Sequence, residues 1–230
     1  IASQMDNRFE VVAGVFSSKA NVNSKMENLW KVNSYNNYKL MVENENIDLV
    51  VILTPTPLHF EAVEYLLNKN IAVVCEKPLV SSLSDVNKLK EISENKFLVI
   101  TNNYSGYPMV RELKERINNN ELGDIVNIKL QMPQETFLRP PKSIKYPQPW
   151  RLKDDYIPMI CLDLGAHLHH LAYFLTGEEP DEIISDFSSF SSYDVIDDVI
   201  MLLQYKENKK GSLWISKSAL GHRNGLKITI

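Results

Sequence analysis

Two apolar runs with a helix-length segment between them restrict this chain to a narrow set of architectures. Residues 48–53 (DLVVIL) are a continuous apolar stretch, broken by Thr54-Pro55-Thr56-Pro57-Leu58-His59. Such a run suits a strand buried on both faces. A helical pattern over 60–68 follows, with Ala62, Val63, Leu66 and Leu67 on one face. A second apolar strand over 71–75 then ends in Glu76-Lys77-Pro78-Leu79. Proline stops the ladder there because it has no N–H to donate. A strand–helix–strand unit of this length is a right-handed parallel crossover. Both strand ends, Thr54-Pro55 and Glu76-Lys77-Pro78, therefore open on one edge of a sheet, where α/β proteins bind ligands.

The rest of the first region continues the alternation. Strands are expected over 9–16 and 97–101, and helices over 24–30, 37–44 and 86–93, the last capped by Ser81-Ser82 and Ser84-Asp85. This is the pattern of a doubly wound dinucleotide-binding domain over 1–102. Residues 103–230 read differently. Helices are expected over 109–118 and 162–175, the latter ended by Gly177, and strands over 125–132, 183–190, 198–205, 212–217 and 226–230. Residues 133–149, rich in Pro, Lys and Tyr, read as an irregular loop over a site. The fold class is thus α/β: a Rossmann-like doubly wound parallel sheet followed by an α+β domain with a largely antiparallel sheet.

Length and charge narrow the function. A chain of 230 residues can hold a sizeable core in two domains. Its formal charge of −4 argues against a nucleic-acid surface, and no run of about eighteen apolar residues marks a transmembrane helix. Two distant cysteines, Cys75 and Cys161, suggest a reducing compartment, hence a cytoplasmic location. Residues 1–8 read as the end of a helix and 9–16 as a second strand, so the G-x-G-x-x-G turn expected before that helix is not among these residues. A start earlier than Ile1 explains this better than a protein lacking the turn. Residue 230 likewise falls inside a strand pattern.

T-P-x-x-x-H (Thr54 to His59), a helix, then E-K-P-L (Glu76 to Leu79) resembles the Gfo/Idh/MocA family of NAD(P)-dependent oxidoreductases of sugars, inositols and related polyols. The resemblance extends through I-T-N-N-Y (Ile100 to Tyr104) with Tyr107-Pro108, E-L-G-D-I (Glu121 to Ile125), Trp150-Arg151, D-L-G-A-H (Asp163 to His167) and the segment 216–230. It implies that Lys77, Asp163 and His167 match the family's catalytic set. His167 would be the base, Lys77 would stabilise developing alkoxide charge, and Asp163 would orient His167. Asp163 and His167 are four apart on an expected helix and so share a face, where a carboxylate can fix the imidazole tautomer and raise its basicity.

The expected cofactor contacts are Ser17, Ser18, Lys19, Thr54, Pro55, His59, Glu76, Lys77, Trp150 and Arg151. The expected substrate contacts are Lys77, Tyr104, Asp163, His167 and His170. His170 stands where the family often has Asp, which leaves substrate recognition there open. Trp150-Arg151 could clamp cofactor or substrate, or only pack the loop, and Tyr104 could face substrate or only the domain interface. A metal held by Asp163, His167 and His170 is disfavoured, because no second ligand cluster appears. At the end of the second strand, Ser17-Ser18-Lys19 offers no acid for a ribose 2′-OH, which favours NADP over NAD. The expectation is an NAD(P)-dependent dehydrogenase acting on a CH–OH group of a sugar, inositol or related polyol. It would be a homo-oligomer through the open sheet of its second domain. A glycosidase using bound NAD, and a non-catalytic NAD(P)-binding sensor, remain open alternatives.

Overall fold

The computed structural model describes residues 7–17, 19–139 and 147–230. A parallel three-stranded sheet forms the centre of the first half: β3 (Leu49–Ile52), β4 (Ala72–Glu76) and β5 (Leu98–Thr101), with β4 in the middle. Ahead of it in the chain lie β1 (Ala13–Gly14), α1 (Ala20–Trp30), β2 (Asn33–Ser34) and α2 (Tyr38–Asn44), with β1 and β2 paired in parallel. The crossover from β3 to β4 is α3 (His59–Asn68), whose Val63, Leu66 and Leu67 are buried against β4. Each such side chain contributes about 1.5–3 kcal/mol of transfer free energy. Val73 and Cys75 of β4 are fully inaccessible, as the middle strand of a covered parallel sheet requires. Between β4 and β5 runs α4 (Leu83–Ile92). Its N-cap is Ser82, whose hydroxyl accepts from the Asp85 N–H at 3.2 Å.

The strand expected over 9–16 is shorter than its apolar pattern. Only Ala13–Gly14 pairs, and the β1–β2 sheet is not hydrogen-bonded to β3–β5. A strand extends only as far as it has a neighbour to bond, and Val11, Val12, Val15 and Phe16 stay exposed. The helical reading of residues 1–6 falls outside the described residues, as does the part of the expected loop at 140–146.

The second half begins with α5 (Pro108–Asn118), whose first residue is a proline with no N–H to lose. A five-stranded sheet follows, built from β6 (Asn127–Pro133), β7 (Glu182–Ser188), β8 (Asp198–Gln204), β9 (Lys210–Ser216) and β10 (Lys227–Thr229) in the order β10-β6-β9-β8-β7. Three pairs are antiparallel, and β6–β9 is parallel. The sheet is therefore mixed, though mostly antiparallel. Against one face lies α6 (Ala166–Thr176), which buries Leu168 and Ala172 among Ile128, Leu130, Val199, Leu213 and Ile215. Gly177, at φ +74°, ends it in the left-handed conformation that glycine adopts without strain.

One element departs from the sequence pattern in a way that shapes the site. The helix expected over 162–175 is not uniform. Residues Cys161–Gly165 form a π-type turn, in which the Ala166 N–H reaches back five residues to the Cys161 carbonyl. Only then does α6 begin. Such turns are frequent at functional sites.

Candidate active site

The carboxyl end of β4 delivers Glu76 and Lys77 to the edge of the parallel sheet. Thr101 of the adjacent β5 donates its hydroxyl to Glu76 Oε1 at 2.7 Å, which fixes that carboxylate beside the lysine. Behind the turn sits His59, only 1 % exposed. Its Nε2 lies 2.7 Å from the Thr54 carbonyl oxygen, and its Nδ1 lies 3.0 Å from that of Pro78 and 3.2 Å from that of Leu79. His59 thus ties the end of β3 to the loop after β4. This corrects its expected place as a cofactor contact: both ring nitrogens are occupied by backbone, and the ring is sealed from the crevice. Thr54 is exposed and Pro55 half-buried at the same strand end.

Lys77 reaches across to the π-type turn. Its ammonium donates to the Asp163 carbonyl at 2.7 Å and lies 3.4 Å from Asp163 Oδ1. Two further cations converge on the same carboxylate. Lys217 Nζ donates to Oδ2 at 2.7 Å. Arg151 donates from a terminal guanidinium nitrogen to Oδ1 at 3.3 Å, while its Nε sits 3.3 Å from Oδ2, out of line for a hydrogen bond, and makes an ion pair only. Burial by itself would push the Asp163 carboxyl up. Lys217, Arg151 and Lys77 outweigh it and bring the carboxyl down to about 2. Lys77 is lowered from its ordinary value, chiefly by burial and further by Arg151, with Asp163 acting the other way.

Asp163 does not orient His167, contrary to the expectation for residues four apart on one helix. The π-type turn breaks the α-helical register between them, and all three polar partners of the carboxylate are cations. No described residue hydrogen-bonds to the His167 ring. Its ring instead meets the ring of Tyr104 edge-on, with centroids 4.8 Å apart. The expected upward shift of its pKa is also reversed. Burial, and then the Lys77 ammonium, lower the imidazole to about 4, with Asp163 and Glu76 only partly opposing them. The His167 imidazole is therefore neutral at physiological pH, with its ring nitrogens uncommitted.

The other expected contacts divide. Arg151 stacks on Trp150, its guanidinium carbon 4.5 Å from the ring centroid, so this pair joins the cluster through Asp163. His170 faces Ser105 Oγ at 3.1 Å, one helical turn from His167. No group of three or more His, Cys, Asp or Glu side chains able to hold a metal exists among the described residues. Burial raises Cys75 to about 12 and Cys161 to about 11, which keeps both as thiols rather than thiolates at neutral pH.

The β1–α1 turn is shaped by Asn23, which is 4 % exposed. Its side-chain oxygen accepts from the Phe16 and Ser17 N–H groups at 3.1 and 2.9 Å, and its amide donates to the Ser17 carbonyl at 2.7 Å. Lys19 follows as the exposed N-cap residue of α1, its N–H bonded to Ser17 Oγ. Ser18 lies outside the described residues. Sequence reasoning missed Asn23 and Lys217: Asn23 stands in no motif, and Lys217 lies within the segment 216–230 that carries part of the resemblance without being singled out there.

The chain matches two family descriptions: an oxidoreductase family with an NAD-binding Rossmann fold over residues 1–115, and a GFO/IDH/MocA C-terminal domain over 110–230. It is 27 % identical over 209 residues to an uncharacterized oxidoreductase of Bacillus subtilis, covering 85 % of this chain and 53 % of that one. A myo-inositol 2-dehydrogenase of Thermotoga maritima is 24 % identical, over 84 % of this chain and 57 % of its own length. The chain thus spans about half the length of the curated relatives it matches. The solved structure of an oxidoreductase from Sinorhizobium meliloti superposes with a TM-score of 0.82 at 30 % identity, over 99 % of this chain and 63 % of that one. An inositol dehydrogenase homolog from Azotobacter vinelandii, complexed with NAD+, shares the fold with a TM-score of 0.87 at 24 % identity, over 96 % of this chain and 60 % of that one.

Proposed function

Since the chain belongs to the Gfo/Idh/MocA family of oxidoreductases, we infer that it contributes the catalytic groups of an NAD(P)-dependent dehydrogenase acting on a secondary alcohol of a sugar, inositol or related polyol. One observation carries this reading. Lys77, from the ligand edge of the parallel sheet, meets the Asp163 turn at 2.7 Å, beside a neutral and unengaged His167. The myo-inositol 2-dehydrogenase among the relatives supports the substrate class.

The residues fit a dinucleotide. Parallel strand ends converge on Thr54, Pro55, Glu76 and Lys77, and exposed Phe16 and Leu53 offer apolar surface of the kind a flat base covers. A bound nicotinamide would supply the acceptor for the hydride leaving the carbinol carbon. His167 takes the hydroxyl proton on a ring nitrogen as the C–O bond becomes a carbonyl. Lys77 directs an N–H at the substrate oxygen and stabilises the charge that develops there. Tyr104 holds the His167 ring from one edge. Lys19 and the absence of an acid after β1 support a preference for NADP, and a D-xylose 1-dehydrogenase (NADP(+)) of Hypocrea jecorina is 24 % identical. The outward face of the second sheet leaves Ile184, Ile200 and Leu202 exposed, which supports association with a second copy. Sedimentation of wild type against Ile184→Lys tests that surface. No helix among the described residues is long and apolar enough to cross a membrane.

The test of function is a screen of polyols, sugars and sugar acids with NAD+ and with NADP+, following nicotinamide absorbance. Net reduced nicotinamide supports the reading. Glycosidic cleavage without it would replace the dehydrogenase with an NAD-dependent glycosidase, and nucleotide binding without any turnover would point to a sensor.

A further inference from the structure

Lys217 follows β9 directly, 54 residues beyond Asp163. It is 5 % exposed, too enclosed to meet a substrate. Its backbone is bonded on both sides, the N–H to the Asp197 carbonyl at 2.8 Å and the carbonyl to the Phe137 N–H at 2.9 Å. Its ammonium lies 5.5 Å from the centroid of the Phe137 ring and 2.7 Å from Asp163 Oδ2. The side chain is therefore held at both ends. A buried ammonium is costly unless paired, and here its charged partner is the carboxylate beside Lys77.

We propose that Lys217 is a positioning residue: by engaging Asp163 Oδ2 it keeps that carboxylate ionised and turned from His167, and it prevents Asp163 from capturing Lys77. Without Lys217, the Asp163 carboxylate has Lys77 and Arg151 as its remaining cations, and Arg151 makes only longer contacts of 3.3 Å. The 3.4 Å separation between Lys77 and Oδ1 would then close, drawing the Lys77 ammonium away from a substrate oxygen. The charged and titratable groups around Asp163 are Lys217 on the β9 side, Arg151 from the loop before the π-type turn, Lys77 from β4, and His167 from α6, with Glu76 behind Lys77. The consequence for turnover rests on the dehydrogenase reading above, whereas the electrostatic link does not.

The test has two arms on the same variants. Carbon NMR of the protein labelled at aspartate carboxyls, assigned with Asp163→Asn, follows the Asp163 titration without substrate. In Lys217→Met the midpoint should rise by about one pH unit or more, and Lys217→Arg should return most of that rise. Lys217→Gln, which keeps an N–H donor and loses the charge, repeats the titration if Lys217→Met does not fold. The second arm uses a polyol that the wild type oxidises. There the neutral variants should lose about tenfold or more in kcat, with nucleotide affinity unchanged and activity regained in Lys217→Arg. A fixed Asp163 midpoint overturns the proposal, as does an unaltered kcat or a matching loss of nucleotide affinity. Absence of wild-type turnover with every polyol sinks the dehydrogenase reading instead, and the titration tells the two failures apart.

Discussion

Replacing His167 by glutamine tests the electrostatics of the site without any knowledge of the substrate. Burial and the Lys77 ammonium lower His167 from 6.5 to about 4. Between those values the unfolded chain binds a proton that the folded chain refuses, so stability falls as the pH is lowered from 6.5 and the full penalty is reached below about 4. At about 1.36 kcal/mol per unit the shift corresponds to about 3 kcal/mol, and solvent screening of a half-buried ring reduces this to about 1.5–2 kcal/mol. His167→Gln removes this proton uptake. Urea unfolding of wild type and variant at pH 7, 6, 5 and 4 measures it. The wild type should lose about 1.5–2 kcal/mol more than the variant between pH 7 and 4. Parallel curves would refute the argument. A variant more sensitive to acid than the wild type would mean that His167 is held as imidazolium in the fold.

Lys77→Ala should lower turnover by about 10²-fold or more, with the fold intact by circular dichroism, on the proposal that its ammonium stabilises charge at the reacting oxygen; steady-state rates near wild type would remove Lys77 from the mechanism. Asp163→Asn should abolish a stabilisation of about 2 kcal/mol that is present above the unfolded carboxylate pKa and lost as pH falls through about 2, so acid-unfolding curves of wild type and variant should converge at the lowest pH. The same change removes a charge that favours imidazolium, and the acidic limb of the wild-type pH–rate profile should move lower, as carboxylate loss predicts. Calorimetric titration should find NADP bound more tightly than NAD; the reverse order would show that Lys19 does not select the 2′-phosphate. Leu168→Ala, at a site of 0 % exposure, should cost about 2–5 kcal/mol by thermal denaturation.

Local chemistry determined much of the architecture directly from sequence. Leu49–Ile52, His59–Asn68 and Ala72–Glu76 appear within a residue or two of their apolar patterns, because a strand buried on both faces and a one-sided helix each carry their own periodicity. That same crossover places Lys77 at the edge of the sheet on sequence grounds alone. What only the tertiary structure decided is the set of partners of Asp163. Lys77 and Lys217 come from 86 and 54 residues away along the chain, and the π-type turn that presents the carboxylate leaves no periodic trace. The four-residue spacing of Asp163 and His167 therefore suggested a pair that does not form. The sign of the His167 shift was equally hidden, since burial and the Lys77 charge outweigh the nearby carboxylate only once strand end, turn and helix are brought together. His59 shows the same division: its motif marks the strand end in sequence, but only packing reveals that both ring nitrogens serve the backbone. Spacing along a chain encodes which face a residue shares; the balance of charges around a buried group depends on every element that closes over it.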